Sequence, residues 1–177
     1  YIFVISILLI FAGCSSQQQQ KSNVSNAKKL SDDELLTLIQ KQTYKYFYEG
    51  AEPISGLARE RYHSDNVYPQ NDKDVIATGA AGFGVMSILV AIERKFITRE
   101  QGYERLKKGV DFLEKADRFH GAWSHWIYPS GKVKPFGKND DGGDLVETSL
   151  LMAGLLTARQ YFDGATTAET NLRNDIT

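Results

Sequence analysis

The chain has 177 residues, of which 42% are hydrophobic and 11% aromatic, a composition that can supply the core of a globular domain. Its formal net charge is -1 at pH 7. Nucleic-acid-binding domains carry a clustered basic surplus, so we expect no nucleic-acid partner, and a neutral ligand suits this charge balance better. The single cysteine, Cys14, excludes an internal disulfide framework.

The N-terminal segment has the pattern of an export signal. Residues 2–11 are an apolar run, shorter than the roughly 20 residues of a membrane-spanning helix. Phe11-Ala12-Gly13-Cys14 resembles a bacterial lipoprotein signal, with Phe11 where such signals more often carry Leu. The resemblance implies a signal peptide over 1–13, a lipid on Cys14 and attachment to a membrane of the cell envelope, facing the periplasm or the outer surface. A buried N-terminal strand is the alternative.

The next residues are polar and low in complexity. They cannot bury enough apolar surface to offset the entropy of ordering, so we predict a disordered tether over 14–30 and a folded part over 31–177. The chain begins at Tyr1 without an initiator Met and stops at Thr177 within the pattern of a new helix. This indicates a fragment of a longer protein.

Three helices are indicated in the first two thirds of the folded part. Ser31 with Glu34, and Thr98 with Gln101, have the spacing of capping boxes and predict two helix starts. Between them, residues 78–92 are apolar nearly all round, which predicts a helix that is buried on most faces. Its glycines lack the preceding strand and the lysine of a phosphate-binding loop, so nucleotide binding is not expected.

A second strongly apolar helix is predicted from Asp144 to Gly164, and Thr166 or Thr167 is expected to cap another. The helices therefore come in pairs, with the more apolar helix second in each pair. This order predicts an all-α fold in which inner helices pack against each other in a toroid of helical hairpins.

Asp144 and Glu147 are three residues apart, so at a helix start their Cβ atoms lie about 5–6 Å apart on one face. Two interpretations are open. As N-cap and third helical residue they form a capping box, which the helix dipole favours without any catalysis. As a site, one carboxylic acid protonates the leaving oxygen of a glycoside while another carboxylate activates water.

Two predicted loops supply further candidates. Arg59 lies in the long connection over 51–77, and the loop over 119–137 is rich in aromatic rings and imidazoles, namely His120, Trp123, His125, Trp126, Tyr128 and Phe136. Rings offer flat faces to sugar C–H groups, and imidazoles can bond to hydroxyls. The alternative is a loop folded back onto the core. His120 and His125 lack a third ligand at metal spacing, so neither a metal nor another cofactor is expected.

Several of these motifs together resemble a known family. In chain order they are Gly56-Leu57-Ala58-Arg59-Glu60-Arg61, Gly82-Phe83-Gly84, Ile92-Glu93-Arg94, Phe96-Ile97-Thr98-Arg99-Glu100, Asp117 to Trp126, and Gly142-Gly143-Asp144-Leu145-Val146-Glu147-Thr148. From about Leu35 to Phe162 the chain resembles the bacterial glucoamylase-like family, which includes endo-β-1,2-glucanases. It resembles the glucoamylase-like domain of cyclic β-1,2-glucan synthases less closely.

The resemblance implies an (α/α)6 barrel, present here as its first hairpins, that hydrolyses a β-glucan with inversion. The expected substrate is a β-1,2-glucan. It places Asp144 and Glu147 in an acidic pocket, with Glu147 as the leading acid/base and Asp144 tuning it or holding sugar. A further carboxylate of the family falls beyond Thr177, so we expect no activity from this chain alone. The alternative function is a surface lipoprotein that binds glycans without hydrolysing them.

Overall fold

The computed structural model describes residues 29–177. The predicted signal peptide, Cys14 and the predicted tether as far as residue 28 lie outside the described residues. Across residues 29–177, no helix combines the length and the apolar character needed to cross a bilayer.

The described residues form a helical fold with short strands in its loops. The helices are α1 (Asp32–Tyr48), α2 (Thr78–Glu93), α3 (Arg99–Lys115), α4 (Leu145–Tyr161) and α5 (Thr167–Ile176). The strands are β1 (Ile76–Ala77), β2 (Arg118–Phe119), β3 (Ala122–Trp123), β4 (Trp126–Ile127) and β5 (Val133–Lys134). The predicted all-α class is confirmed. The strands escaped prediction because two residues are too few to show an alternating pattern.

The helix starts follow the predicted caps. Ser31 and Thr98 both form complete capping boxes, and Thr166 is the N-cap of α5. The predicted end of α4 at Gly164 is wrong, because the helix stops at Tyr161 and the Gly164 N–H donates to the Glu169 carboxylate instead.

Helices α2 and α4 form the central pair of the fold, and α1 and α3 contact α2 on other sides. A Cβ added at Gly82 would overlap the Leu150 carbonyl oxygen, and one added at Gly154 would overlap the Gly82 carbonyl. The two backbones therefore touch where the helices cross. The more apolar helix of each predicted pair is the one that takes part in this contact.

The core lies between α2, α3 and α4, and the loops before and after them contribute to it. Its largest fully buried apolar side chains are Phe162, Ile76, Ile127, Leu151 and Leu172. Each contributes about 1.5–3 kcal/mol relative to its exposed state. Because Ile76 and Ile127 belong to β1 and β4, these two loop strands are fixed to the helical core.

Two small antiparallel sheets shape the loop after α3. Strand β4 pairs with β1 on one side and with β5 on the other, while β2 and β3 form a hairpin. The hairpin turn consists of His120 and Gly121, with φ of 51° and 91°. Positive φ at both positions is typical of a type I′ turn, whose twist matches that of the strands.

Apolar side chains remain exposed on the central helices, among them Leu145, which is 79% exposed, and Val146, Phe83, Val90 and Leu156. Helix α1 also exposes a row of large apolar side chains, namely Leu35, Leu36, Leu38 and Ile39. The described residues by themselves therefore leave part of the apolar surface of α1, α2 and α4 uncovered.

Candidate active site

The candidate site lies where the first turns of α2 and α4 meet the loop after α3. Thr78, the first residue of α2, donates its N–H to the His125 carbonyl oxygen at 3.1 Å. Its hydroxyl donates to the Ser124 carbonyl oxygen at 2.5 Å. At α4, the Trp123 N–H donates to the Thr148 hydroxyl oxygen at 3.0 Å. The loop is thus positioned by two rigid helix ends.

Asp144 is the N-cap of α4, as predicted. Its Oδ1 accepts the backbone N–H groups of Val146 at 2.9 Å and Glu147 at 3.0 Å, and its Oδ2 lies 2.9 Å from Nδ1 of His125. Desolvation raises the pKa of Asp144, but the backbone hydrogen bonds and His125 together outweigh it and hold the pKa below its ordinary value. Asp144 is therefore an anchored carboxylate whose oxygens both have partners.

Glu147 does not complete the capping box that the spacing predicted. The Asp144 N–H donates to the Trp123 carbonyl, and Glu147 turns its Oε2 to the backbone N–H of Gly79, 2.7 Å away. Gly79 lies in the first turn of α2, whose N-cap residue Ala77 has no capping side chain. A carboxylate of α4 thus caps α2 and interacts favourably with its dipole.

A glycine is needed at position 79 for this contact. A Cβ there would lie 2.7 Å from Oε2 of Glu147 and 3.1 Å from Cδ1 of Leu150. Helix α2 therefore begins with a backbone that Glu147 can approach closely, and the carboxylate sits at the start of two helices at once.

His125 lies beside these carboxylates in an aromatic cluster, formed by His125, Trp126 and Phe136. Its ring stacks on Phe136 with centroids 4.0 Å apart and an angle of 22° between the planes, and it meets Trp126 edge-on at 5.7 Å. Phe136 is 50% exposed and Trp126 is half-buried. The cluster therefore offers the partly exposed rings that a sugar platform requires.

Asp140 is a candidate that the sequence interpretation did not include among the site residues. Its Oδ2 lies 4.0 Å from Nδ1 of His125, the same atom that contacts Asp144. The signal was present in the sequence, because Asp140 opens the acidic, glycine-rich stretch that ends at Asp144. Nothing local distinguished it from Asp141, which is exposed.

These residues also include the donor atoms that a metal would use. Among residues 29–177, His125, Asp140 and Asp144 each place one ligand atom within 4.8 Å of the other two. One imidazole and two carboxylates suit a first-row transition metal. The hydrogen bond between His125 and Asp144 accounts for their approach without an ion, so the arrangement carries no metal assignment.

Trp123 is placed in the core. Its side chain is 7% exposed, and its indole N–H donates to the Leu113 carbonyl oxygen at 3.2 Å. Trp123 therefore follows the alternative prediction, in which the loop folds back onto the core. Trp126, three positions on, lies in the aromatic cluster. Only a small part of the Trp123 surface is exposed, and the residue does not belong to the aromatic cluster.

The two remaining predicted contacts have local structural roles. Arg59 donates to the Gly50 carbonyl at 2.8 Å and pairs with Asp74 at 2.8 Å, so its guanidinium braces the loop over 51–77. His120 occupies the left-handed position of the β2–β3 turn and packs edge-on against Phe119 at 4.6 Å. Its exposed ring remains open to a ligand.

Solved structures of known glucanases share this fold. An endo-β-1,2-glucanase from Chitinophaga pinensis, solved with sophorotriose and glucose, is 58% identical with a TM-score of 0.82, over 84% of this chain and 36% of that one. A β-1,2-glucanase from Parabacteroides distasonis is 51% identical with a TM-score of 0.76, over 84% of this chain and 20% of that one. The predicted resemblance is confirmed over this part of the fold.

Sequence comparison with curated proteins agrees. An exo β-1,2-glucooligosaccharide sophorohydrolase acting at the non-reducing end, from Parabacteroides distasonis, is 53% identical over 149 residues. The match takes in 83% of this chain but 20% of that protein, so the chain spans about a fifth of the relative's length. No protein-family model matches the chain. The described helices are those of a partial (α/α) toroid of the glucoamylase-like kind.

Proposed function

We propose that the whole protein is a glycoside hydrolase that acts on β-glucan, and that its linkage is β-1,2. The observation that carries the proposal is the meeting of Asp144 and Glu147 at two helix N-termini beside the partly exposed aromatic cluster. The same stretch of chain is 58% identical to a glucanase solved with a β-1,2-linked trisaccharide. Because the chain matches only a part of its relatives, activity belongs to the whole protein in this proposal.

We infer an inverting mechanism with Glu147 as the acid/base candidate. Inversion needs two carboxyl groups about 6.5–9.5 Å apart, one protonating the leaving oxygen and one activating water. Asp144 is unsuited to proton transfer because both of its oxygens have partners, so its role is to orient its neighbours. Glu147 binds the Gly79 N–H through Oε2, and in this proposal its Oε1 contacts the substrate. In this proposal the second carboxylate lies beyond Thr177.

Two substitutions at Glu147 separate catalysis from capping. In Glu147→Gln the amide oxygen can still accept the Gly79 N–H, so stability should hardly change while turnover falls about 10²–10⁴-fold. In Glu147→Ala the cap is lost as well, which should cost a further 0.5–2 kcal/mol or so of stability. The assay is release of reducing ends by the full-length protein from β-1,2-, β-1,3- and β-1,4-glucans.

Each result of this assay has a separate meaning. Release from β-1,2-glucan that Glu147→Gln abolishes supports both the linkage and the residue. Near-normal turnover in Glu147→Gln would remove Glu147 from the mechanism. Release from another glucan alone would correct the linkage, and no release from any glucan would contradict hydrolysis.

We also propose that a lipid on Cys14 holds the protein at the cell envelope. The support is the apolar run over 2–11 followed by Ala12-Gly13-Cys14. Full-length protein made in a bacterial host should enter the detergent phase on partitioning, and its Cys14→Ser variant should stay in the aqueous phase. Equal partitioning of the two would disprove the anchor.

A further inference from the structure

His125 is held in one orientation by contacts on several sides. Its carbonyl oxygen accepts the N–H of Thr78, its ring stacks on Phe136, and its edge meets Trp126. Nδ1 points to Oδ2 of Asp144 at 2.9 Å, with Oδ2 of Asp140 at 4.0 Å. The imidazole therefore joins the aromatic cluster to the carboxylates at the start of α4.

The direction of the hydrogen bond follows from the surroundings of Asp144. Its Oδ1 already accepts two backbone N–H groups, which favour the ionised carboxylate, so the side chain is an acceptor with no proton to give. Nδ1 of His125 must then be the donor. Asp144 thereby selects the form of the imidazole that carries its proton on Nδ1.

We propose that His125 is a positioning residue, whose Nδ1–H bond to Asp144 fixes the aromatic cluster and the loop of Asp140 against the first turn of α4. The proposal rests on the proposed hydrolysis for its kinetic consequence but not for the hydrogen bond itself. It differs from the sequence prediction, in which His125 bonds directly to a sugar hydroxyl.

The bond connects parts that are far apart in the chain. His125 and Asp144 are 19 residues apart, and the segment between them contains β4, β5 and Asp140. A misplacement of about 1 Å in a catalytic site can cost as much as 100-fold in rate. Loss of the Nδ1 donor should therefore lower kcat rather than only raise KM.

Two matched substitutions distinguish the nitrogen atoms of the ring. In His125→Asn the side-chain amide nitrogen takes roughly the place of Nδ1, and in His125→Gln it takes roughly the place of Nε2. Both variants lose the stacked ring, so positioning predicts that the kcat of full-length His125→Asn exceeds that of His125→Gln by about tenfold. The reverse order of kcat, with His125→Gln the more active variant, would overturn the proposal in favour of a contact between Nε2 and the sugar.

A second measurement needs no activity. The three histidines are His63, His120 and His125, and long-range ¹H–¹⁵N correlation spectra report which ring nitrogen is protonated, with His125→Asn identifying its signals. We expect the proton of neutral His125 on Nδ1. In Asp144→Asn, the amide oxygen still caps α4 while its NH₂ group faces Nδ1, so the proton should move to Nε2.

The two measurements separate the possible failures. A proton on Nε2 in the wild type, or an unchanged spectrum in Asp144→Asn, would overturn the positioning bond even if the enzyme hydrolyses glucan. A proton on Nδ1 that moves in Asp144→Asn, in a protein that releases no sugar from any glucan, would support the bond and contradict the proposed function.

Discussion

Glu147 caps a helix other than its own: its Oε2 accepts the backbone N–H of Gly79 at 2.7 Å. A carboxylate in the first turn of α4 thereby satisfies a donor in the first turn of α2, which has no cap in its own sequence. The central helices are thus joined at their N-terminal ends by this bond and farther along by the backbone contact at Gly82 and Gly154. The candidate acid/base group is held by the same contact that joins the helices.

Gly79→Ala should disturb the site through Glu147. The new Cβ would lie 2.7 Å from Oε2, so the flexible Glu147 side chain must move and release its bond to Gly79. We expect turnover to fall, while stability changes by no more than about 1 kcal/mol because the lost cap is offset by the higher helix propensity of Ala. Gly84→Ala is the control in the same helix, because its Cβ would meet the Phe47 ring at 3.1 Å and not Glu147. Urea unfolding and glucan hydrolysis measure the two effects, and equal behaviour of the variants would contradict the role of the contact.

Gly82→Ala tests the crossing of the central helices. Its methyl group would overlap the backbone of Leu150, which cannot move without separating α2 from α4. We expect a loss of about 3 kcal/mol or failure to fold, with Gly84→Ala again as the control. Unfolding by urea measures the loss, and a Gly82→Ala protein with wild-type stability would show that the helices do not touch there.

The parts of the fold that could be predicted are those with local signals. The capping boxes at Ser31 and Thr98 have both partners within one helical turn, and both were correct. Glu147 shows the same spacing from Asp144, yet its partner Gly79 lies 68 residues away in the sequence. Local spacing therefore identifies the N-cap and cannot show which helix the glutamate will cap.

The aromatic loop shows a second limit. Trp123 and Trp126 are three residues apart in a segment whose strands have two residues each, too short for a pattern of inward and outward side chains. One indole enters the core and the other joins the aromatic cluster. Trp126 lies in β4, which pairs with β1 from the distant connection over 51–77, whereas Trp123 lies in β3 of the separate hairpin.

Glu169 should make stability depend on acid pH. Hydrogen bonds from Arg99 hold its pKa below the ordinary value of 4.5, and the Gly164 N–H adds to this. Since the folded-state pKa is the lower one, the stabilisation is present at neutral pH and is lost as pH falls through the folded pKa. Glu169→Gln should therefore lower the free energy of unfolding by only about 1 kcal/mol at pH 7, because Arg99 is partly exposed and solvent screens the pair. In strong acid the wild-type carboxyl is protonated, so the substitution should have almost no effect.

Urea unfolding of the wild type and of Glu169→Gln, from pH 7 down to strong acid, measures how much the Glu169 carboxylate stabilises the fold at each pH. Glu100→Gln, at an exposed position of the first turn of α3, is the control. A wild-type advantage that is the same at every pH would show that the carboxylate charge is not the cause.

His120→Asn tests whether this imidazole supports the turn or binds substrate. Asn is favoured at left-handed positions of type I′ turns, so the β2–β3 hairpin should keep its stability. We expect KM for glucan to stay unchanged, because His120 has a local role in the turn, with positive φ and its ring packed edge-on against Phe119. A several-fold rise in KM with unchanged stability would instead support the sugar contact predicted from the sequence.

Trp126 should report ligand binding by fluorescence, and Trp123 should not. The chain contains only these two tryptophans, so each single substitution leaves one indole to observe. Trp126 is half-buried beside Phe136, with Nζ of Lys134 4.4 Å from its ring centroid, whereas Trp123 is enclosed in the core. Sophorotriose should change the emission of wild type and Trp123→Phe but not of Trp126→Phe. A signal that survives in Trp126→Phe would place the sugar away from the aromatic cluster. Trp123→Phe also loses the hydrogen bond to Leu113, so we expect it to lower stability by about 1 kcal/mol.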